Sequence, residues 1–199
     1  MIDQHGTVAD RALRSVEVVI REPVWLCGIR SNVELKRLRD YPYRILPIVV
    51  IALRRFGVET AGPPVCLFRP CGDGRFDVTA ACPTRERVTI GQPFRHARLP
   101  GGPAAQVTHL GSWSTLLFTY DRLSEWLTAH RVPAPSVMWE EYQVGPELTG
   151  DLAAWRTRIV VPLPALDAAV GPDDVHVDGG WRLAAGIPSR QAPPTGDAD

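Results

Sequence analysis

The sequence predicts an α+β domain in which a strand-helix-strand-strand unit occurs twice and forms one antiparallel sheet, with two helices on one face. Three observations predict it. The 199 residues, 45% of them apolar and 22% charged, fit one globular domain. Strand, helix and hairpin signals come in the same order in both halves of the chain. The second set follows the first at an offset of about 80 residues, which is typical of a duplicated unit.

The first unit, about 16–87, contains four strand signals around one helix. In chain order they are strands at Val16–Ile20 and Val24–Ile29, a helix at Pro47–Phe56, and a hairpin of Val65–Arg69 with Phe76–Ala81. Pro47 suits the first turn of the helix, and Gly57 suits its end. The turn Cys71-Gly72-Asp73-Gly74 favours a hairpin, which Pro83 closes.

The second unit, about 88–163, repeats this order. It has strands at Phe94–Leu99 and Ala104–Leu110, a helix from Ser112 to about His130, and strands at Val137–Val144 and Arg156–Val161. Ser112 is a good N-cap, and apolar residues from Trp113 to Leu127 recur at helical spacing. Pro162 closes the last strand as Pro83 closes the first hairpin. Both helices are therefore expected on one face of a shared sheet.

The sequence outside these units differs in character. The predicted organisation is an N-terminal arm at 1–15, the domain at 16–163, an appended segment at 164–188 with a possible hairpin, and a disordered tail at 189–199.

Charge and motif content exclude several classes of protein. Basic and acidic residues balance at 22 each, which argues against direct nucleic-acid binding. An apolar run long enough to span a membrane is absent, as is a signal peptide, so a cytoplasmic location is expected. The four cysteines have no C-x-x-C spacing and the five histidines do not cluster. We therefore expect reduced, buried thiols, no metal site and no cofactor.

Four segments of the second half resemble the GyrI-like small-molecule-binding family, the effector-binding domain of multidrug-sensing transcription regulators. They are His109-Leu110-Gly111-Ser112-Trp113, the helix end at 120–127, Glu140-Glu141-Tyr142 with Gly145-Pro146, and 156–162. The first half fits more loosely, through Gly62-Pro63-Pro64 and the hairpin strand before Pro83. The resemblance spans roughly Val16 to Leu163, and the family's duplicated architecture agrees with the repeat found independently.

The resemblance implies a bacterial, stand-alone domain with a ligand cleft that binds hydrophobic, aromatic, often cationic small molecules, for drug sensing, sequestration or antibiotic resistance. Two alternatives stay open. One is a hydrolase that opens the cyclopropane of alkylating antibiotics, with Glu140 as general base. The other is a protein that inhibits DNA gyrase by interaction. The 15 residues before Val16 are too few for a helix-turn-helix, and a homodimer remains possible.

Alternation along Val137–Val144 places Glu140 and Tyr142 on one face of a strand and Trp139 and Glu141 on the other. Strand glutamates are usually solvated, but the resemblance implies that Glu140 is a pocket glutamate among aromatic rings. Which of Glu140 and Glu141 faces the pocket stays open. A carboxylate enclosed by rings is suited to bind a cation.

Aromatic residues supply the other candidate ligand contacts. The resemblance implies that Trp113 is a pocket aromatic at the helix start, although its spacing fits a core position equally well. The remaining candidates are Tyr142, Trp25, Tyr43, Trp139 and Trp155. Tyr120 belongs to the helical stripe and is expected in the core, and His109 is expected to be a hydrogen-bonded structural residue.

Overall fold

The structure, a computed structural model, describes residues 15–164. The predicted tail lies outside the described residues, as do the predicted arm and appended segment except for residues 15 and 164. The strands are β1 Glu17–Arg21, β2 Val24–Glu34, β3 Val65–Gly72, β4 Arg75–Thr84, β5 Phe94–Leu99, β6 Gly102–Leu110, β7 Met138–Val144 and β8 Arg156–Pro162. The helices are α1 Leu35–Leu38, α2 Tyr41–Arg55 and α3 Leu116–Ala129, with short 3₁₀ turns at Trp113–Thr115 and Leu152–Ala154.

The eight strands form one antiparallel sheet in the order β1-β6-β8-β7-β3-β4-β2-β5. Its two halves, β2-α2-β3-β4 and β6-α3-β7-β8, meet where β3 pairs with β7 at the centre. Both long helices pack on the same face. The predicted fold class, a duplicated α+β unit with one antiparallel sheet and two helices on one face, is therefore confirmed.

The connection between β1 and β2 requires the sheet to curl. The two strands lie six positions apart in the sheet, although only Glu22 and Pro23 separate them in the chain. In a flat sheet six interstrand steps would span about 29 Å. The link from Arg21 to Val24 reaches at most about 11 Å. The sheet therefore curls until its two ends meet.

One ladder joins the two ends of the sheet. Residues 17–29 pair with residues 94–106 in a constant register, from Glu17 opposite Gln106 to Ile29 opposite Phe94. The register is interrupted only where the Glu22-Pro23 link faces the Pro100-Gly101 link. The strand that precedes each half, β1 for the first and β5 for the second, thus pairs with a strand of the other half. The two links are in close contact, because a Cβ at Gly101 would lie 2.7 Å from Cδ of Pro23.

The core occupies both faces of the curled sheet. On the helical face, Leu46 of α2 and Leu123 and Leu127 of α3 pack on strand residues such as Val78 and Ile159. The opposite face is filled by strand residues alone. They come from both ends and the centre of the sheet, and include Leu26, Val65, Leu67, Leu99, Ala104, Trp139 and Val160. This second cluster follows from the curl, which packs the ends of the sheet against its middle.

Several predicted boundaries differ from the structure. Helix α2 begins at Tyr41, with Pro42 in its first turn, and Pro47 lies inside the helix on its exposed side. An exposed proline in a helix costs one backbone hydrogen bond, and packing of the buried stripe outweighs that loss. Helix α3 begins at Leu116 because the 3₁₀ turn precedes it, although the Oγ of Ser112 does cap that turn by accepting from the Ser114 amide at 3.3 Å.

Two further expectations concern cysteines and prolines. Cys27, Cys66 and Cys82 are buried, as expected, but Cys71 is exposed because it lies near the protruding end of β3. The closing prolines, Pro83 and Pro162, lie inside the last strand of their unit rather than after it.

Within residues 15–164, no helix is long and apolar enough to cross a membrane. The same part of the chain has no group of three or more His, Cys, Asp or Glu side chains arranged to hold a metal ion.

The contact between the two links generates a prediction about stability. Gly101→Ala places a Cβ 2.7 Å from Cδ and 3.0 Å from N of Pro23, and neither atom can move without disturbing the ladder. We expect a loss of about 1–3 kcal/mol in unfolding free energy. In a thermal melt this lowers the Tm by roughly 3–10 °C.

The matched control is Gly91→Ala, because no heavy atom lies within 4 Å of a Cβ at Gly91. This variant should melt close to wild type. If the two variants had the same Tm, the two links would not be tightly packed.

Candidate functional site

A cavity of about 330 Å³ opens on the helical face between the two halves of the domain. Its walls are α1, the start of α2, and the 3₁₀ turn with the start of α3, and its floor is made by β3 and β7. The lining residues are Leu35, Lys36, Leu38, Arg39, Pro42, Phe68, Trp113, Leu116, Leu117, Tyr120, Met138, Glu140 and Tyr142. A volume of this size is at the lower end of the range for small-molecule sites.

Glu140 lies on the floor of this cavity and is 6% exposed. It is in the middle of β7, one of the two central strands, where it faces Cys66 of β3. Both of its carboxylate oxygens accept hydrogen bonds from phenols. Tyr120 of α3 donates to Oε1, and Tyr142, two residues along the same strand face, donates to Oε2. The carboxyl group is thus held in one orientation by a helix and a strand.

The surroundings of Glu140 favour its uncharged form. Burial raises the pKa of Glu140 above its usual value, although the hydrogen bonds from the two tyrosines act in the opposite direction. The pKa values of Tyr120 and Tyr142 are raised well above normal, first by burial and then by the neighbouring Glu140 carboxylate. Burial also raises the pKa of the Cys66 thiol. The floor of the cavity is therefore a region of low polarity.

Neutral groups hold the Glu140 carboxyl. Among residues 15–164, no lysine, arginine or histidine forms an ion pair with it. A buried carboxylate usually has a basic partner, because losing its hydration costs several kcal/mol. The site can therefore accept a positive charge from outside the chain.

Trp113 is the centre of an aromatic cluster at one side of the cavity. Its ring lies 4.0 Å from that of Tyr43, 5.0 Å from that of Tyr142 and 5.2 Å from that of Trp155, measured between centroids. Its Nε1 donates to Oγ1 of Thr157 on β8 at 2.9 Å. These contacts fix the indole plane, so the ring is a preformed wall of the cavity.

His109 holds the turn that carries Trp113. Its Nδ1 hydrogen-bonds to Oγ1 of Thr119 at 2.8 Å, and its Nε2 to the carbonyl oxygen of Ser112 at 3.0 Å. The ring is buried and joins β6 to the start of α3. These contacts are those of the structural histidine that the sequence predicts.

Two basic side chains lie at the mouth of the cavity. Lys36 of α1 pairs with Glu34 at 2.9 Å and has a side chain that is 75% exposed. Arg39, just after α1, donates from Nη2 to the carbonyl oxygen of Ser114 at 3.4 Å, across the opening. The cavity is therefore acidic at its floor and basic at its mouth.

The structure brings most of the predicted ligand contacts together. The cavity is lined by Glu140, Trp113 and Tyr142. The rings of Tyr43 and Trp155 do not line it but contact the ring of Trp113. Two candidates lie elsewhere. Trp25 is on β2 near the edge of the sheet, with the Arg98 guanidinium 5.0 Å from its ring, and Trp139 is buried on the face opposite the helices.

Glu141 also lies on the face opposite the helices. It pairs with Arg21, and with Nη1 of Arg158 at 2.9 Å, and it accepts from Nε1 of Trp139 at 3.1 Å. Its charge is therefore satisfied within the chain. Of the two adjacent glutamates, Glu140 is the one that faces the cavity.

Sequence reasoning missed several lining residues, above all Tyr120. The expectation that Tyr120 belongs to the core describes its ring but not its hydroxyl group, which binds Glu140. A tyrosine within an apolar helical stripe is a signal, because a buried phenol needs a hydrogen-bond partner. Lys36 and Arg39 carried no comparable signal, since their role depends on how α1 is placed over the cavity.

The fold is shared with proteins of known structure. No protein-family model and no curated protein matches the sequence. The C-terminal domain of EcmrR matches with a TM-score of 0.63 at 17% identity, over 76% of this chain and 98% of that one. SAV2435 bound to tetraphenylphosphonium matches with a TM-score of 0.60 at 16% identity, over 76% of this chain and 95% of that one.

EcmrR in a complex with DNA also matches, with a TM-score of 0.63 at 18% identity over 76% of this chain. The match covers 58% of that EcmrR chain. At identities this low, these likenesses show a common fold.

The burial of Glu140 predicts a specific pH dependence of stability. Because its pKa is raised in the folded state, the folded protein binds a proton more tightly than the unfolded chain does. Stability from this group is present below the ordinary glutamate pKa of about 4.3 and is lost as the pH rises through the folded-state value. Glu140→Gln should therefore gain in Tm relative to wild type as the pH rises across this window.

The control is Glu59→Gln, which removes an exposed carboxylate. Its Tm, measured over the same pH range, gives the effect of losing an exposed carboxylate. A Tm difference between Glu140→Gln and wild type that stays constant with pH would contradict a raised pKa at Glu140.

Proposed function

We propose that this chain is a GyrI-like domain that binds hydrophobic, aromatic, positively charged small molecules in the cavity over Glu140. The observation that carries the proposal is the Glu140 carboxyl group, which is buried at the floor of an aromatic cavity and is held by phenols instead of a basic residue.

A ligand cation can replace the favourable interactions with water that the Glu140 carboxylate loses on burial. The carboxylate has lost its hydration shell, and a cation placed beside it would form an ion pair in a region of low polarity. A hydrated inorganic ion does not fit this role, because the walls of the cavity are mainly apolar. An organic cation with its charge spread over aromatic groups loses less hydration on entry and gains contact with the Trp113 and Tyr142 rings.

The walls favour a class of compounds over one compound. Apolar contacts, which do not require one orientation of the ligand, come from Phe68, Leu116, Leu117 and Met138. The flexible methionine side chain also adapts to ligands of different shape. Directional hydrogen bonds at the floor are already used between Glu140 and the two tyrosines. Recognition by charge and apolar area alone is broad, and affinities in the micromolar range are expected.

The comparisons support the same class of ligand. SAV2435, which shares the fold, is bound to tetraphenylphosphonium, an aromatic cation. Transferred to this chain, that ligand would place its charge near Glu140 and its rings against Trp113. We extend the proposal to the biological role that the sequence predicts, which is sensing or sequestration of such compounds in the cytoplasm of a bacterium.

Hydrolysis is a second candidate, favoured by the raised pKa of Glu140. A carboxyl group with a raised pKa is a better proton acceptor near neutral pH. Each of its oxygens keeps a lone pair beyond the one used by a tyrosine. Glu140 could take a proton from a water whose oxygen adds to a cyclopropane carbon as a ring C–C bond breaks, and return that proton to the product.

Titration with tetraphenylphosphonium tests the binding proposal. Wild type should bind it with micromolar affinity by calorimetry, and Glu140→Gln should bind it about 10-fold to 100-fold more weakly, because a charge-assisted contact becomes neutral. Neutral triphenylphosphine oxide should bind wild type and variant alike.

The control variant is Glu59→Gln, which should bind tetraphenylphosphonium as wild type does. No binding to wild type, or equal binding to wild type and Glu140→Gln, would exclude Glu140 as the counter-charge and with it the proposal.

A cyclopropane-containing alkylator separates binding from turnover. Incubation followed by mass spectrometry should return the compound intact if the domain only binds. A water adduct that forms with wild type and not with Glu140→Gln, while the variant still binds the compound, would establish the hydrolase instead.

A further inference from the structure

We propose that the preferred ligands of the cavity are amphoteric, with an aromatic cation at one end and an acidic group, such as a carboxylate, at the other. This inference rests on the proposed function, because it assumes that the cation lies over Glu140. It adds a second contact, between the acidic group and the basic residues at the mouth.

The distribution of charge along the cavity carries the inference. The charged residues that line it, among those the structure describes, are Glu140, Lys36 and Arg39. Glu140 is buried at the floor, whereas Lys36 and Arg39 are exposed at the rim. A cation must pass two positive charges to reach one negative charge. A ligand that also carries an anionic group meets an opposite charge at both ends.

The rim already stabilises a carboxylate of the chain itself. Nζ of Lys36 lies 2.9 Å from Oε2 of Glu34, and this hydrogen bond, followed by the lysine charge, holds the pKa of Glu34 below its ordinary value. Glu34 does not line the cavity. The lysine ammonium has three donors, so it can contact a ligand carboxylate without leaving Glu34.

Arg39 is the more specific of the two rim residues. Its guanidinium spans the mouth from α1 towards the 3₁₀ turn, where Nη2 makes one long contact, 3.4 Å, with the carbonyl oxygen of Ser114. A guanidinium has five N–H donors, and a carboxylate can accept two of them side by side. A ligand acid at this point would therefore connect both walls of the cavity.

Neighbouring charges mark the limits of this basic rim. Arg37, one residue after Lys36, points away from the cavity and lines a separate, highly charged depression with Glu34, Asp40, Arg44 and Arg75. Replacing Arg37 therefore changes the net charge of the region without removing a contact to the proposed ligand. It provides a matched control for the two rim residues.

Two triphenylphosphonium compounds test the inference. One is (carboxybutyl)triphenylphosphonium, a zwitterion at neutral pH, and the other is its methyl ester, which has the same rings and cation but no acid. Calorimetry gives the affinity of each, and the ratio of the two affinities measures the preference for the acid. The double variant Lys36→Gln/Arg39→Gln should lower this ratio roughly threefold to tenfold, the range expected for exposed charge pairs.

Two controls accompany the double variant. Arg37→Gln should leave the ratio at its wild-type value, and Glu140→Gln should weaken both compounds together. The ratio of wild type should also fall between about 0.01 M and about 1 M salt, where screening shortens from about 30 Å to about 3 Å.

The outcomes separate the inference from the function on which it rests. If both compounds bind wild type but the ratio is the same in wild type and the double variant, or falls equally in Arg37→Gln, the amphoteric preference is wrong and the cation site stands. If neither compound nor tetraphenylphosphonium binds wild type, the proposed function itself is wrong.

Discussion

The rest of the structure depends on the ladder in which β1 and β5, the strands that precede the two halves, each pair with a strand of the other half. Because β1 and β2 are joined by two residues and yet belong to opposite ends of the sheet, the sheet must curl. The curl packs one face of the sheet on itself and leaves the other face to the two helices. The cleft between those helices lies over the central β3–β7 pair, which is where the ligand cavity opens.

The duplicated frame holds a site that is not duplicated. The two helices end alike, with Val58 donating to the carbonyl oxygen of Leu53 and Val132 to that of Leu127. Counting back from these bonds, Tyr120 of α3 corresponds to Leu46 of α2, a core residue. The second half therefore supplies the acid and both phenols, and the first half supplies the basic mouth through α1. The acidic floor and the basic mouth of the cavity therefore come from different halves of the domain.

Periodicity and turn residues were sufficient to predict the element order, the single sheet and the common face of the helices, because these depend on local patterns that recur. Trp113 and Glu140 were named as pocket residues only through the family resemblance, and the structure places both in the lining of the cavity. Alternation alone does not tell which face of a strand the helices cover, so Trp139 remained a candidate beside Tyr142. The basic mouth was missed because α1 is a single turn whose position depends on tertiary packing.

The exchange of strands also has a consequence for symmetry. Strands β1 and β5 lead the two units, and each of them pairs with a strand of the other unit. If the two units were identical, every side chain beside the central strands would occur twice. Because the units differ in sequence, Cys66 of one central strand faces Glu140 of the other, and the floor of the cavity holds a single acid.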